Sequence, residues 1–119
     1  MQFELVTQDD NADACGQACV AMVTGTGLNT ACYNAGHDGR LSARKISSAL
    51  RSYGWMCPSR TTEGAPAFGN AAITIWRGPR GRGHWVLWTG QEWLCPTWGK
   101  MSTPKEGWKP ERFLPISKP

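Results

Sequence analysis

The chain has 119 residues and a mass of 13.1 kDa, room for one domain with one modest core. Hydrophobic residues make up 40% and charged residues 18%, with a mean hydropathy of -0.42, a composition that excludes a fibre or a disordered tail. The net charge of +4 is unevenly spread, because Glu4, Asp9, Asp10, Asp13 and Asp38 precede Arg40 and all 13 Lys and Arg residues stand from Arg40 onward. Arg40, Arg44 and Arg51 also break every apolar stretch well short of the roughly 18 residues that a membrane span needs. Met1-Gln2-Phe3-Glu4-Leu5 lacks the basic start and apolar block of a signal peptide, so the expected compartment is the cytoplasm, with no membrane partner.

The segment through about Ala12 is polar and acid-rich and reads as an extended arm. From Cys15 to Thr24, the apolar residues Ala18, Cys19, Met22 and Val23 recur at helical spacing. Asp13 stands where a carboxylate can cap the first N–H groups, and Gly25 and Gly27 stop the helix. Leu28 to Asn34 reads as a short helix or turn, and Gly36-His37-Asp38-Gly39 as a loop. Ser42 opens a second clear helix, in which Ile46, Ala49, Leu50 and Tyr53 line one face and Gly54 closes the end.

A short extended piece at Trp55 to Pro58 leads into a Gly/Pro/Ala-rich connector from Glu63 to Asn70, and Ala71 to Arg77 reads as a strand. His84 to Thr89 and Glu92 to Cys95 flank Gly90-Gln91, a two-residue hairpin turn with glycine first. That register sets Thr89 opposite Glu92, Leu87 opposite Leu94 and His84 opposite Thr97. Pro104, Pro110 and Pro115 predict that the last twenty residues wrap the domain instead of forming a long element. Helices followed by an antiparallel sheet make an α+β domain over residues 1–119.

The five cysteines, Cys15, Cys19, Cys32, Cys57 and Cys95, are odd in number and follow no secretion signal, which points to reduced thiols. No C-x-x-C pair occurs. Cys15 and Cys19 are spaced to share a helical face with His84 or His37 as further metal ligands, but a buried Cys19 in a core slot is the plainer reading, and neither metal nor cofactor is expected. Cys15 opens its helix, where unpaired N–H groups and the helix dipole favour a thiolate. Gly16 beside it leaves room for a substrate backbone, and Gln8 upstream is a candidate oxyanion donor. His84 begins a strand within Gly83-His84-Trp85-Val86-Leu87-Trp88, where an imidazole can face the thiol and pair with it.

This ordered set resembles the papain-like cysteine peptidases, above all the bacteriocin-processing peptidases that cut after a double-glycine leader, and their stand-alone relatives. The resemblance lies in Gln8, Cys15-Gly16-Gln17-Ala18, the turn Gly39-Arg40-Leu41-Ser42 with its helix through Leu50 and Tyr53-Gly54, the strand Ile73 to Trp76, and His84 to Gly90. It covers about residues 6 to 98. It implies a papain-like fold, N-terminal helices packed on a small antiparallel sheet, with Cys15 as nucleophile, His84 as base and then acid, and Gln8 in the oxyanion hole. Gln8 stands seven residues before Cys15, where that family has six, and Asp9 holds the six-residue position. Cys95-Pro96 stands where the family has Asp or Asn, commonly Asp-Pro, so Thr97, Cys95 or a backbone carbonyl is left to orient the imidazole.

The expected activity is hydrolysis of a peptide or related acyl bond in a peptide or protein substrate, with Trp85 and Trp98 flanking the cleft. A papain-like binding or inhibitor module without turnover is the alternative. A nucleic-acid binder using the basic stretch Arg77 to Arg82 is the third reading. The crowding of Trp76, Trp85, Trp88, Trp93, Trp98 and Trp108 in one third of the chain reads first as core and face-covering aromatics, ahead of a base-stacking platform.

Overall fold

The computed structural model describes residues 3–8, 14–35 and 40–119. The proposed cap Asp13, the residue Asp9 and the loop containing His37 lie outside the described residues. Three helices come first: α1 (Cys15–Thr24), α2 (Leu28–Ala35) and α3 (Ala43–Ser52). A six-stranded antiparallel sheet follows, with β1 (Thr62–Glu63), β2 (Ala72–Arg77), β3 (Gly83–Trp88), β4 (Trp93–Cys95), β5 (Gly99–Met101) and β6 (Lys109–Pro115) in the spatial order β1-β6-β2-β3-β4-β5. The class is α+β, as the chain order of helical and alternating patterns implies.

Local signals set the helix ends. Gly25 adopts φ 76 and sends its N–H to the carbonyl of Ala21, closing α1 with a left-handed residue that costs glycine nothing. Ser42 accepts the Lys45 N–H at 3.2 Å and starts α3, and Gly54 at φ 86 lies just past its end. Every residue of α1 from Cys15 to Val23 is buried, more than one apolar stripe requires. A helix covered on all sides must be sandwiched, and α1 lies between β3 on one side and α2 and α3 on the other.

Strand alternation divides the sheet into two apolar faces. Ile73, Trp85, Leu87, Leu94 and Leu114 pack with the helices, together with Cys15, Cys19, Ile46 and Leu50. Trp76, Val86, Trp88, Trp93 and Cys95 form a separate cluster against Met101 and Trp108. Trp76, Trp88, Trp93 and Trp108 therefore cover the face opposite the helices, whereas Trp85 packs on the helix side.

Two expectations are corrected. The last twenty residues do not merely wrap the domain: β6 is seven residues long and lies between β1 and β2 in the interior of the sheet. Its prolines fit because Pro110 sits at the register shift opposite Ile75/Trp76 and Pro115 ends the strand, places where a missing N–H is tolerated. The hairpin register is as expected for Leu87 opposite Leu94, and Thr89 donates its N–H to the Glu92 carbonyl at 2.9 Å. The pairing of His84 with Thr97, however, does not form. Strand β4 stops at Cys95, Pro96 offers no N–H to continue the ladder, and the chain turns through Thr97 and Trp98 to Gly99 at φ 88, which pairs back with Cys95.

Candidate active site

Cys15 is the first residue of α1 and is buried, 7% exposed. Its Sγ accepts the backbone N–H of Trp85 at 3.4 Å, which ties the start of α1 to the start of β3. A cleft of about 310 Å³ opens there, lined among others by Cys15, Arg40, Leu41, Arg77, His84 and Trp85. Trp85 donates its indole N–H to the Leu41 carbonyl at 3.0 Å and so joins the segment before α3 to the cleft wall. A larger apolar groove of about 920 Å³ opens at the other end of β2, lined by Trp55, Met56, Phe113 and Ile116, and holds none of the candidate residues.

His84 carries its ring toward the tryptophan face. Its Nε2 lies 3.2 Å from Cys95 Sγ, and Trp98 and Trp108 meet the ring edge-on at centroid distances of 5.4 and 5.9 Å. Cys95 also receives the Trp98 N–H at 3.4 Å. Of the two side chains expected to orient the imidazole, Cys95 therefore takes that place and Thr97 does not. The Thr97 hydroxyl instead accepts from Gln8 Nε2 at 3.2 Å.

Gln8 bridges the foot of α1 and the β4–β5 turn. Its Oε1 accepts the Ala14 N–H at 2.7 Å, and its own backbone N–H reaches the Pro96 carbonyl at 3.0 Å. The carboxamide thus sits one residue from Cys15 with one of its two N–H donors engaged by Thr97. Gly16 does not face the cleft: a Cβ there would meet Leu41 at 3.1 Å, Trp85 at 3.3 Å and Ile46 at 3.4 Å, so this glycine serves close packing of α1. Trp85 lines the cleft, as expected, whereas Trp98, 38% exposed, borders the histidine from the far face of the sheet.

The electrostatics keep both Cys15 and His84 neutral. Burial pushes the Cys15 thiol up, and the N–H groups of Trp85 and Gly16 and the charge of Arg40 offset only part of that rise. Burial pushes His84 down to about 4, helped by the positive charges of Arg82 and Arg40. The thiol is bonded to a backbone N–H and the imidazole to Cys95, so the resting arrangement is not the expected thiolate–imidazolium pair. The Cys95 thiol is also raised, chiefly by burial. Cys19 is fully buried in the core, as expected. Among the described residues no three His, Cys, Asp or Glu side chains gather as metal ligands.

Sequence reasoning missed Arg40 as a site residue and Trp108 as a neighbour of His84. Arg40 precedes the Ser42 cap and carries no spacing signal of its own; only the fold brings it to Cys15. No protein-family model matches the chain, and no curated protein matches it either. Among the described residues no helix is long and apolar enough to cross a membrane.

Proposed function

We propose that the protein is a papain-like cysteine hydrolase that cleaves a peptide or related acyl bond at the Cys15–His84 cleft. The observation that carries this reading is convergence. Gln8, Cys15, His84 and Cys95, from four separate segments, meet at the junction of α1 with β3 and β4. Supporting it are a thiol at a helix start, an imidazole near a strand start with Nε2 on Cys95, and an amide at the helix foot.

In this mechanism Cys15 Sγ attacks the substrate carbonyl carbon while His84 takes the thiol proton. The first N–H groups of α1 and the remaining N–H of Gln8 stabilise the oxyanion. The C–N bond breaks, the amine leaves with the proton from His84, and water hydrolyses the thioester to regenerate the thiol. Nε2 held on Cys95 leaves Nδ1 for the proton transfer. Because the thiol rests neutral, the proton moves as attack occurs, and the ring must close on Cys15 when substrate fills the cleft.

A peptidyl chloromethyl ketone tests this, because its capture draws on the same base and oxyanion donors. Cys15 should be labelled, and His84→Ala should slow labelling by about 10²-fold or more, the usual contribution of a positioned base. Labelling at the rate of a free thiol, unchanged in His84→Ala, would overturn the proposal. The second reading, a binding module without turnover, draws its support from the neutral state of Cys15 and His84 and from their separate partners, the Trp85 N–H and Cys95. It predicts that unmodified peptides bind and are released intact.

A further inference from the structure

The cleft's charges go beyond what hydrolysis alone requires. Its wall carries Arg40 and Arg77 beside Cys15 and His84, and among the described residues none that lines it is Asp or Glu. Arg77 is already committed: its guanidinium grips Glu111 at 3.1 and 3.0 Å and donates to the Gly81 carbonyl at 2.7 Å. Arg40 and Arg82 are exposed, and among the described residues neither is paired with a carboxylate.

Arg82 is not on a loose loop. Gly78 donates its N–H to the Arg82 carbonyl at 2.8 Å, and Arg82 donates back to Pro79 at 3.3 Å. This turn is tight enough to hold Arg80 at φ 60, and it fixes Arg82 two residues before His84. Arg40, from the segment before α3, lines the cleft, and Arg82, from the β2–β3 turn, stands near enough for its charge to act on His84.

Both charges disfavour the protonated imidazole of His84. Arg40 favours the Cys15 thiolate, and both guanidinium groups are exposed to meet a negative group on a ligand. We infer that the substrate is an acidic peptide, with a carboxylate side chain next to the scissile carbonyl that Arg40 and Arg82 recognise. This rests on the hydrolase reading above and names its substrate class. The apolar part of the wall, Leu41, Ile75 and Trp85, suits the stem of such a side chain. At about 310 Å³ the cleft is at the small end for ligand sites. It takes a residue or two of extended chain, whereas a nucleic acid would need a longer row of cations along its phosphates.

Paired alkylating reagents read the charge without requiring turnover. In each, the Cys15 thiolate displaces iodide from carbon, but iodoacetate carries a carboxylate and iodoacetamide does not. The ratio of their rates at Cys15, mapped by mass spectrometry and divided by the ratio for free cysteine, should favour iodoacetate about fivefold at low salt. It should fall toward one as ionic strength passes about 0.1 M. In Arg40→Gln/Arg82→Gln the preference should vanish. A blocked Glu-Gly peptide should protect Cys15 better than its Gln-Gly counterpart.

A ratio equal to that of free cysteine, or one unchanged in the double variant, overturns the inference while leaving a reactive Cys15 and the hydrolase reading standing. Protection by single-stranded oligonucleotide and not by the Glu peptide overturns it in favour of nucleic acid. If neither reagent reaches Cys15, the inference and the hydrolase reading fall together.

Discussion

Gly78 is the position where a single added methyl group tests the architecture around His84. Its backbone is at φ -117 and ψ -165, extended geometry that any residue adopts, so alanine there carries no backbone strain. The cost lies in space. A Cβ on Gly78 would come within 2.5 Å of Trp108 Cδ2 and Cε3 and 2.6 Å of Cε2. Carbon atoms rest about 3.5–4.0 Å apart, so the indole must retreat by roughly 1 Å or more. Trp108 packs on His84 at 5.9 Å and on Trp98 at 5.4 Å, and both contacts loosen with it. Overpacking costs about 1–3 kcal/mol, and each aromatic contact is worth about 0.5–1.5 kcal/mol. The stiffer unfolded chain returns about 0.4–1 kcal/mol. The net expectation for Gly78→Ala is a loss of about 2 kcal/mol, and with a urea slope of about 1.5 kcal/mol/M the unfolding midpoint drops by roughly 1–1.5 M. In a Trp108→Ala background the same change should be neutral or slightly stabilising. An equal penalty in both backgrounds, or a Gly78→Ala protein within about 0.5 kcal/mol of the parent, refutes the reasoning.

The remaining expectations concern His84, its partner and a helix cap. The unfolded chain protonates His84 below about 6.5 and the folded protein only near 4. Stability is therefore complete above pH 6.5 and declines as pH falls toward 4, by at most about 3 kcal/mol before solvent screening; urea melts across this range should show the slope, and His84→Phe should flatten it. Cys95→Asp places a carboxylate on Nε2 and should raise the His84 pKa above its present value; NMR titration of the ring reads this directly, and an unmoved value near 4 refutes the Nε2–Cys95 contact. Ser42→Ala removes the bond to the Lys45 N–H and should cost about 1 kcal/mol in the same melts.

What could be read from the sequence were features whose cause is local. Ser42 and Gly54 bracket α3 because a cap and a left-handed residue act within a few positions. The β3–β4 register followed from one glycine turn and two matching leucines. The same reasoning failed where tertiary context decides. β6 carries two prolines that argue against a strand, and only the bulge opposite Ile75/Trp76 and the strand's end make room for them. β1 is two exposed residues with no pattern to detect. At the site, Cys15 and His84 were visible as candidates at element starts, and Gln8 as one upstream of the first helix. The choice of Cys95 over Thr97 was not, since it turns on β4 stopping one residue before Pro96. Arg40 was illegible because its role depends on a neighbour 25 positions earlier in the chain.

The placement of β6 also orders events during synthesis. Strands β1 and β2 are joined only through β6, so a nascent chain that lacks residues 109–115 holds a broken sheet and leaves β2 with one neighbour instead of two. Cys15 is made first and the strand that completes the platform beneath it nearly last. A ribosome-bound fragment therefore carries the thiol without the complete sheet that supports β3 and its Trp85 N–H, and assembly waits on long-range pairing, a slow step that leaves apolar strands exposed meanwhile. A proteolytic cut that removes the C-terminal segment should loosen the cleft without touching a residue that lines it.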